Sequence, residues 1–468
     1  MRKVLIFLFV LITNTVNAQS LEERLDALVN SEALRTSEIG LTVFDLTADK
    51  SIYKYQDEKL YRPASTEKII TSITAIARLG ENYTFDTRLC YTGEIKQDTL
   101  YGSLYVIGHF DPLFSDEDLN HLANAVVANG IHFITDTLAA DVSMMDSVYW
   151  GPGWSWDDTP SSTQPYLSPL MLNEGCVEVT VSPQERGTPA AVDCIPFSDY
   201  YQIDNRAISN DPIAGKLKIT RNWLSNGNII SITGNVTHRT TANLNIQPSE
   251  KFFLHTFANR LNARGVQAKH ITFANYPDSL GTNVKTLFTL SRPLLEVLEP
   301  MLKKSNNLCA ESVFYQVAAN MFSHKYLNAN DGAEAIKTFL SGEIGENPDD
   351  YNIVDGSGLS LYNYISPKLL LKYLKYAYNH KEIFDIFYNH LPIAGVDGTL
   401  KNRMKKTKAQ NNVHAKTGTV KGVSSLAGYV KARNGHLLAF AVINQNIMKQ
   451  KVARDIQDKI CITLTGMP

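Results

Sequence analysis

The segment YRPASTEKIITSITAIARLG, residues 61–80, decides how the whole chain is interpreted. Apolar residues recur at helical spacing after Pro63, which predicts the start of an amphipathic helix. Ser65 and Lys68 stand three positions apart, so a helix places both side chains on one face. Taken alone, the segment fits a capped helix with a surface lysine as well as a nucleophile beside its base. The other motifs of the chain must distinguish the two.

The pattern S-x-x-K also occurs at Ser51 and Lys54. Those residues lie in an alternating, strand-like run, where positions three apart point to opposite faces. Only the Ser65–Lys68 pair can bring the amine to the hydroxyl. We therefore interpret Ser51 as a chance match.

Two further motifs occur once each. S-x-N occupies residues 305–307 between two amphipathic helical stretches, and K-T-G occupies residues 416–418 at the start of a strand-like run. Separately they suggest a turn and a surface charge. The ordered set S-x-x-K, S-x-N, K-T-G is that of serine β-lactamases and penicillin-binding proteins. It favours a catalytic site at Ser65.

The chemistry accounts for the residue types of this set. A serine hydroxyl needs an adjacent base to act as a nucleophile. Lys68 can serve if partial desolvation and a neighbouring cation lower its pKa, and Lys416 supplies that cation. Lys416 can also attract a substrate carboxylate, and Ser305 can relay a proton to the leaving amine. Asn307 can hold the substrate amide and Lys68.

The backbone supplies the remaining part of the predicted site. The N–H of Ser65 at the helix start and the N–H of Thr419 in the following strand would form an oxyanion hole. Gly418 leaves room for the acyl group beside that strand. We expect Thr417, Gly418 and Thr419 to contact the substrate.

Composition excludes some functions. A chain of 468 residues has room for two or three domains, and its net charge of −2 provides no basic surface for nucleic acid. No C-x-x-C pair suggests zinc or redox chemistry, and no metal or organic cofactor is implied.

Of the five cysteines, Cys176 and Cys194 lie 18 residues apart in a strand-rich region. A disulfide between them and two free buried thiols both remain open.

The N-terminus predicts export. Arg2 and Lys3 precede an apolar run at residues 4–12, and small residues end at Ala18, which is the pattern of a secretory signal peptide cut after Ala18. No later segment reaches the roughly 20 apolar residues that a membrane span needs. We expect a periplasmic protein without a stable membrane anchor.

The pattern of elements divides the chain. Residues 19–85 and 281–468 combine helices with strand-like runs and predict an α+β domain with an antiparallel sheet flanked by helices. Residues 86–155 and 246–280 predict an inserted mixed α/β domain. Residues 156–245, rich in short strands and turns, predict a nested β-rich domain.

Several segments together resemble one known family. RPASTEKIIT (62–71), GPGWSWDDTP (151–160), DGSGLSLYN (355–363) and HAKTGTVKGVSSLAGYV (414–430) are similar to motifs of the class C low-molecular-mass penicillin-binding proteins of the penicillin-binding protein four type. These are D-alanyl-D-alanine carboxypeptidase/endopeptidases. The resemblance covers nearly all of the mature chain.

The resemblance implies a serine β-lactamase/transpeptidase-like domain split by an insertion that carries a nested third domain. It implies acyl transfer on Ser65, with peptidoglycan stem peptides and crosslinks as substrates and β-lactams as covalent inhibitors. Two alternatives are a β-lactamase-like or esterase hydrolase, and a non-catalytic peptidoglycan-binding or β-lactam-sensing protein. Whether the chain forms a homo-oligomer is left open.

Two positions qualify the resemblance. Asp158 either meets the amine of diaminopimelate over the site or caps the surface beside Pro160. The family pattern Gly-Leu-Ser-Arg-Tyr-Asn has Leu361 in place of its arginine here. The departure concerns recognition of the charged end of the stem peptide, not the acyl chemistry.

Overall fold

The computed structural model describes residues 19–158, 160–274 and 284–468. The predicted signal peptide, residues 1–18, lies outside the described residues. The first elements are α1 (Leu21–Val29), β1 (Glu38–Asp45), β2 (Lys50–Tyr55) and α2 (Glu67–Leu79). Next come β3 (Thr84–Thr92), β4 (Glu94–Lys96), β5 (Thr99–Tyr101), β6 (Leu104–Ile107), α3 (Asp116–Ala128) and β7 (Phe133–Asp141).

The later elements follow in the same order. The strand-rich part comprises β8 (Cys176–Ser182), β9 (Ala191–Ile195), β10 (Gln202–Ser209), β11 (Lys218–Arg221), β12 (Ile229–Val236) and β13 (Thr240–Asn245). The rest comprises α4 (Ser249–Asn262), β14 (Gln267–Phe273), β15 (Val284–Pro293), α5 (Leu294–Lys303), α6 (Asn307–Met321), α7 (Ala329–Phe339), α8 (Pro367–Asn379), α9 (Lys381–His390), β16 (His414–Val420), β17 (Val423–Lys431), β18 (Leu437–Gln445) and α10 (Gln450–Thr465).

Both ends of the chain build one five-stranded antiparallel sheet, in the order β16-β17-β18-β1-β2. Helices α1 and α10 contact each other on one side, and α2, α6 and α8 pack together on the other. Because both faces are covered, β17 is buried from Val423 to Val430 instead of alternating. The predicted α+β class is confirmed.

A mixed seven-stranded sheet lies between these two parts of the chain. Its order is β15-β3-β6-β7-β5-β4, with β14 pairing with β7. Strand β15 is antiparallel to β3 over its full length. The sequence pattern places residues from 281 onward in the catalytic region and does not indicate this strand. Its residues are mostly half-buried or exposed, and so they produce little apolar signal.

Two three-stranded sheets lie within residues 176–245, in the orders β13-β8-β9 and β10-β12-β11. Cys176 and Cys194 are both free thiols. The register sets Cys194 opposite Val179, three residues along β8 from Cys176. At about 3.4 Å per residue, this offset exceeds the reach of a disulfide.

Candidate active site

Ser65 lies in a short 3-10 turn, Ala64–Thr66, which leads directly into α2. Ala64 has φ of 49°, in the left-handed region that non-glycine residues seldom adopt. Two hydroxyls hold the turn: Thr66 Oγ1 and Ser425 Oγ donate to the carbonyl of Pro63 over 2.7 and 2.6 Å. The helix start is thus fixed against β17 and presents Ser65 half-buried.

Lys68 is fully buried on the first turn of α2. Its Nζ donates to Ser65 Oγ over 3.0 Å, to Asn307 Oδ1 over 2.8 Å and to the carbonyl of Ser357 over 2.7 Å. A capped helix with a surface lysine is therefore excluded. Ser51 and Lys54 lie on β2, the strand that the alternating pattern predicted. Both residues are exposed.

Burial lowers the pKa of Lys68 to about 8. The charges of Asp355 and Glu311 act in the opposite direction and prevent a larger fall. An amine with this pKa releases its proton close to neutral pH, as a base for a serine hydroxyl must.

Glu311 organises the loop that contacts Lys68. This buried carboxylate accepts hydrogen bonds from the N–H groups of Gly356 and Ser357 over 3.3 and 2.9 Å. These bonds hold the loop so that the carbonyl of Ser357 points at Lys68 Nζ. Burial, together with Asp355, raises the pKa of Glu311 to about 8. The motif DGSG at residues 355–358 carries no sequence signal for this role of its backbone.

Lys416 and Ser305 form the second half of the site. Lys416 Nζ donates over 2.8 Å to Ser305 Oγ and over 2.8 Å to the carbonyl of Thr417. Burial, and then the charge of Lys68, hold the pKa of Lys416 well below its usual range. Ser305 has φ of 61°, so this hydroxyl also projects from a strained turn.

Strand β16 passes close to the nucleophile turn at Gly418. A Cβ at this position would lie 2.9 Å from Ser65 N and 2.8 Å from the carbonyl of Pro63. Glycine therefore permits the close approach. Thr417 Oγ1 donates to Thr399 Oγ1 over 2.7 Å, and Thr419 is exposed at the outer end of the strand.

The inserted part of the chain also reaches the site. Asn307 Nδ2 donates to the carbonyl of Thr163 over 2.7 Å, a contact that no sequence motif indicated. Asp158 ends a 3-10 turn, Trp156–Asp158, but its side chain lies outside the described residues, so both interpretations of it stay open. The carbonyl of Leu361 accepts a hydrogen bond from Arg62 Nε over 2.9 Å. A cation that the sequence analysis did not predict therefore lies next to Leu361.

Over the described ranges, no cluster of three or more histidine, cysteine, aspartate or glutamate residues is arranged to hold a metal ion. Within the same ranges, no helix combines the length and apolar character needed to cross a membrane.

Comparisons with known proteins agree with this geometry. The profile of the D-Ala-D-Ala carboxypeptidase 3 (S13) family matches residues 21–466. A D-alanyl-D-alanine carboxypeptidase of Actinomadura sp. (strain R39) is 30% identical over 95% of this chain and 84% of its own. A penicillin-sensitive carboxypeptidase A of Dictyostelium discoideum is 27% identical over 89% and 84% of the two chains. The crystal structure of penicillin binding protein 4 from Haemophilus influenzae has a TM-score of 0.79 at 25% identity and covers 93% of this chain and 97% of that one.

The fold and these relatives define a serine-type peptidase of the penicillin-binding class. The chain belongs to the D-Ala-D-Ala carboxypeptidase 3 (S13) family. The predicted resemblance to carboxypeptidases of the penicillin-binding protein four type is confirmed.

Proposed function

We propose that this carboxypeptidase is exported and acts on peptidoglycan through an acyl-enzyme on Ser65. It removes the terminal D-Ala of stem peptides and also cleaves D-Ala–diaminopimelate crosslinks. One observation carries the proposal: Lys68 Nζ is hydrogen-bonded to both Ser65 Oγ and Asn307 Oδ1. This arrangement joins a nucleophile, its base and a substrate-holding amide at one point.

In the acylation step, Lys68 in its neutral form takes the proton of Ser65, and Ser65 Oγ forms a bond to the substrate carbonyl carbon. The N–H groups of Ser65 and Thr419 stabilise the oxyanion. The close approach of Gly418 to Ser65 N supports this role, because Thr419 directly follows Gly418.

The peptide C–N bond then breaks, and the proton reaches the departing amine through Ser305, which is hydrogen-bonded to Lys416. Water attacks the acyl carbon and gives a proton to neutral Lys68; the bond to Ser65 Oγ then breaks, and Lys68 returns this proton to that oxygen. Lys416, Thr417 and Gly418 line the path of the substrate carboxylate.

β-Lactams are proposed to acylate the same oxygen and to remain bound. The penicillin sensitivity stated for the Dictyostelium relative supports this extension to the present chain. A β-lactamase or a purely binding protein would lack one of the two resulting properties: a persistent adduct and release of D-Ala.

The test combines mass spectrometry of the penicillin-treated protein with measurement of D-Ala released from a muropeptide pentapeptide. Wild type should show both a single stable adduct and D-Ala release. Ser65→Ala should abolish both, while the matched control Ser51→Ala should change neither. Absence of an adduct on wild type would refute the proposal, and so would rapid penicillin turnover without D-Ala release.

Export has its own test, because the predicted signal segment lies outside the described residues. The proposal expects the protein in the periplasmic fraction, with an N-terminus that begins after Ala18. Recovery of full-length protein only from the cytoplasmic fraction would contradict it, without bearing on the chemistry of Ser65.

A further inference from the structure

All four tryptophans of the chain line one open cleft: Trp150, Trp154, Trp156 and Trp223. Its volume of about 450 Å³ is within the roughly 300–1,000 Å³ common for small-molecule sites. The Trp156 side chain is 71% exposed, and its ring centroid lies 5.6 Å from that of Trp223. A concentration of exposed aromatic surface of this kind marks a binding site.

The walls of the cleft are held in place by buried contacts. Trp223 and Leu224 belong to the loop between β11 and β12. Arg221, buried at the start of this loop, donates through Nη1 to the carbonyl of Gly227 over 2.8 Å and so closes it. Leu224 nevertheless stays 78% exposed. The loop is therefore shaped before any ligand arrives, which reduces the entropy lost on binding.

The cleft adjoins the candidate active site. Gln164 lines the cleft, and the preceding residue, Thr163, accepts the hydrogen bond from Asn307 Nδ2. On the other side, Trp154 Nε1 donates to Asp355 Oδ2 over 2.9 Å. One molecule can thus occupy both the cleft and the space above Ser65.

The chemistry of the lining selects a neutral ligand with flat apolar faces. No charged side chain lines the cleft in the part of the chain that the structure describes. Gln164 and Asn226 provide amides at its edge, beside the aromatic rings. A sugar ring combines an apolar C–H face with a polar rim and matches this surface. The free end of a stem peptide carries carboxylates and does not.

We propose that the cleft binds the amino-sugar strand from which the stem peptide hangs. N-acetylhexosamine rings stack on Trp156 and Trp223, and their acetamido and hydroxyl groups meet the amides of the rim. The inference rests on the proposed function in one respect, because it takes Ser65 to act on the peptide end of the same substrate.

A binding experiment separates this inference from the chemistry of Ser65. The probe is a neutral tetramer of β-1,4-linked N-acetylglucosamine, titrated calorimetrically into the full chain before and after penicillin treatment. We expect saturable one-to-one binding in both cases, since the cleft lies outside the acylated position. Trp223→Ala should raise the Kd about tenfold, which corresponds to about 1.4 kcal/mol.

Phe197 provides the matched control, because it is a 70% exposed aromatic residue that does not line the cleft. Phe197→Ala should leave the Kd unchanged. The proposal is overturned if wild type does not bind the tetramer, or if Trp223→Ala binds it as well as wild type. If Trp223→Ala instead changes the oligomeric state while the tetramer fails to bind, the cleft is a contact between copies and the proposal is also wrong.

The kinetic readout is a ratio. The kcat/KM for pentapeptide attached to a glycan strand, divided by that for free pentapeptide, should fall about tenfold in Trp223→Ala and stay constant in Phe197→Ala. An unchanged ratio in Trp223→Ala would show that the strand does not use the cleft. Absence of D-Ala release with intact tetramer binding would refute the proposed role of Ser65. It would leave the proposed role of the cleft unaffected.

Discussion

Lys68 illustrates how a single residue acquires its chemistry from its surroundings. Burial favours the neutral amine, whereas the carboxylates of Glu311 and Asp355 favour the ammonium ion. The pKa of about 8 is the balance of these effects. The same Glu311 also positions the Ser357 carbonyl that Lys68 contacts. Glu311 therefore acts on Lys68 both electrostatically and geometrically.

The pH dependence of acylation follows from this balance. Lys68 accepts a proton only when it is neutral, so the second-order rate constant for penicillin acylation should rise about tenfold per unit at low pH and level off above a midpoint near 8. The pKa of Glu311 is itself raised to about 8, so its charge acts on Lys68 from about that pH upward. Glu311→Gln removes this charge and should move the midpoint to lower pH. Stopped-flow acylation from about pH 6 to about pH 10 measures both.

Exposed Glu299 supplies the control for that experiment, because Glu299→Gln removes the same charge from the surface of α5. Its profile should match that of wild type. A rate constant that does not change with pH, or a midpoint that moves upward in Glu311→Gln, would contradict the assignment of Lys68 as the base.

At the scale of elements, the site depends on how closely β16 passes the turn before α2. Ser425 on β17 donates to the carbonyl of Pro63, and Gly418 on β16 leaves no space for a side chain. The hydroxyl of Ser425 thus holds the carbonyl of Pro63, and the backbone of β16 lies directly against that of the turn.

Gly418→Ala tests this close approach. The added methyl group would lie 2.2 Å from Ser425 Oγ and 2.9 Å from Ser65 N, so the turn must shift away from the strand. We expect the acylation rate constant to fall on the order of 100-fold, as when an oxyanion donor is displaced. Gly342→Ala, where a Cβ meets open space, is the control. Normal acylation by Gly418→Ala would show that the close approach does not serve catalysis.

On the scale of the whole molecule, the inserted region is joined to the catalytic region by polar contacts around the site. Asn306 Nδ2 donates to Glu174 Oε1 over 3.0 Å, and Asn307 donates to Thr163. The insertion therefore forms part of the wall of the site. Within the inserted region, Arg292 at the end of β15 contacts Asp118 at 2.8 Å and buried Asp111 at 3.5 Å, just before the chain enters α5.

Arg292→Gln should destabilise the inserted region. It leaves the carboxylate of Asp111 buried without its cation, which costs roughly 2 kcal/mol and, for a chain of this length, about 2 °C of Tm. Burial raises the pKa of Asp111 to about 6, and loss of the arginine raises it further. Protonation below that pKa relieves the penalty, so the fall in Tm should be larger at pH 8 than at pH 5 when measured by calorimetry.

Lys96→Gln is the comparison variant, since it removes an exposed ion pair with Glu94. It should leave Tm unchanged at both pH values. An equal loss for Arg292→Gln at both pH values would show that Asp111 is not the group affected.

The sequence by itself determined the α+β class and predicted the five motif residues that the structure brings together, because periodicity and motif order are local properties. Only the tertiary structure decided the strand pairing of β15, the role of Glu311 behind Lys68, the contact of Thr163 with Asn307 and the meeting of all four tryptophans in one cleft. These depend on residues far apart in the chain, whose proximity follows from packing and backbone hydrogen bonds that no local pattern records.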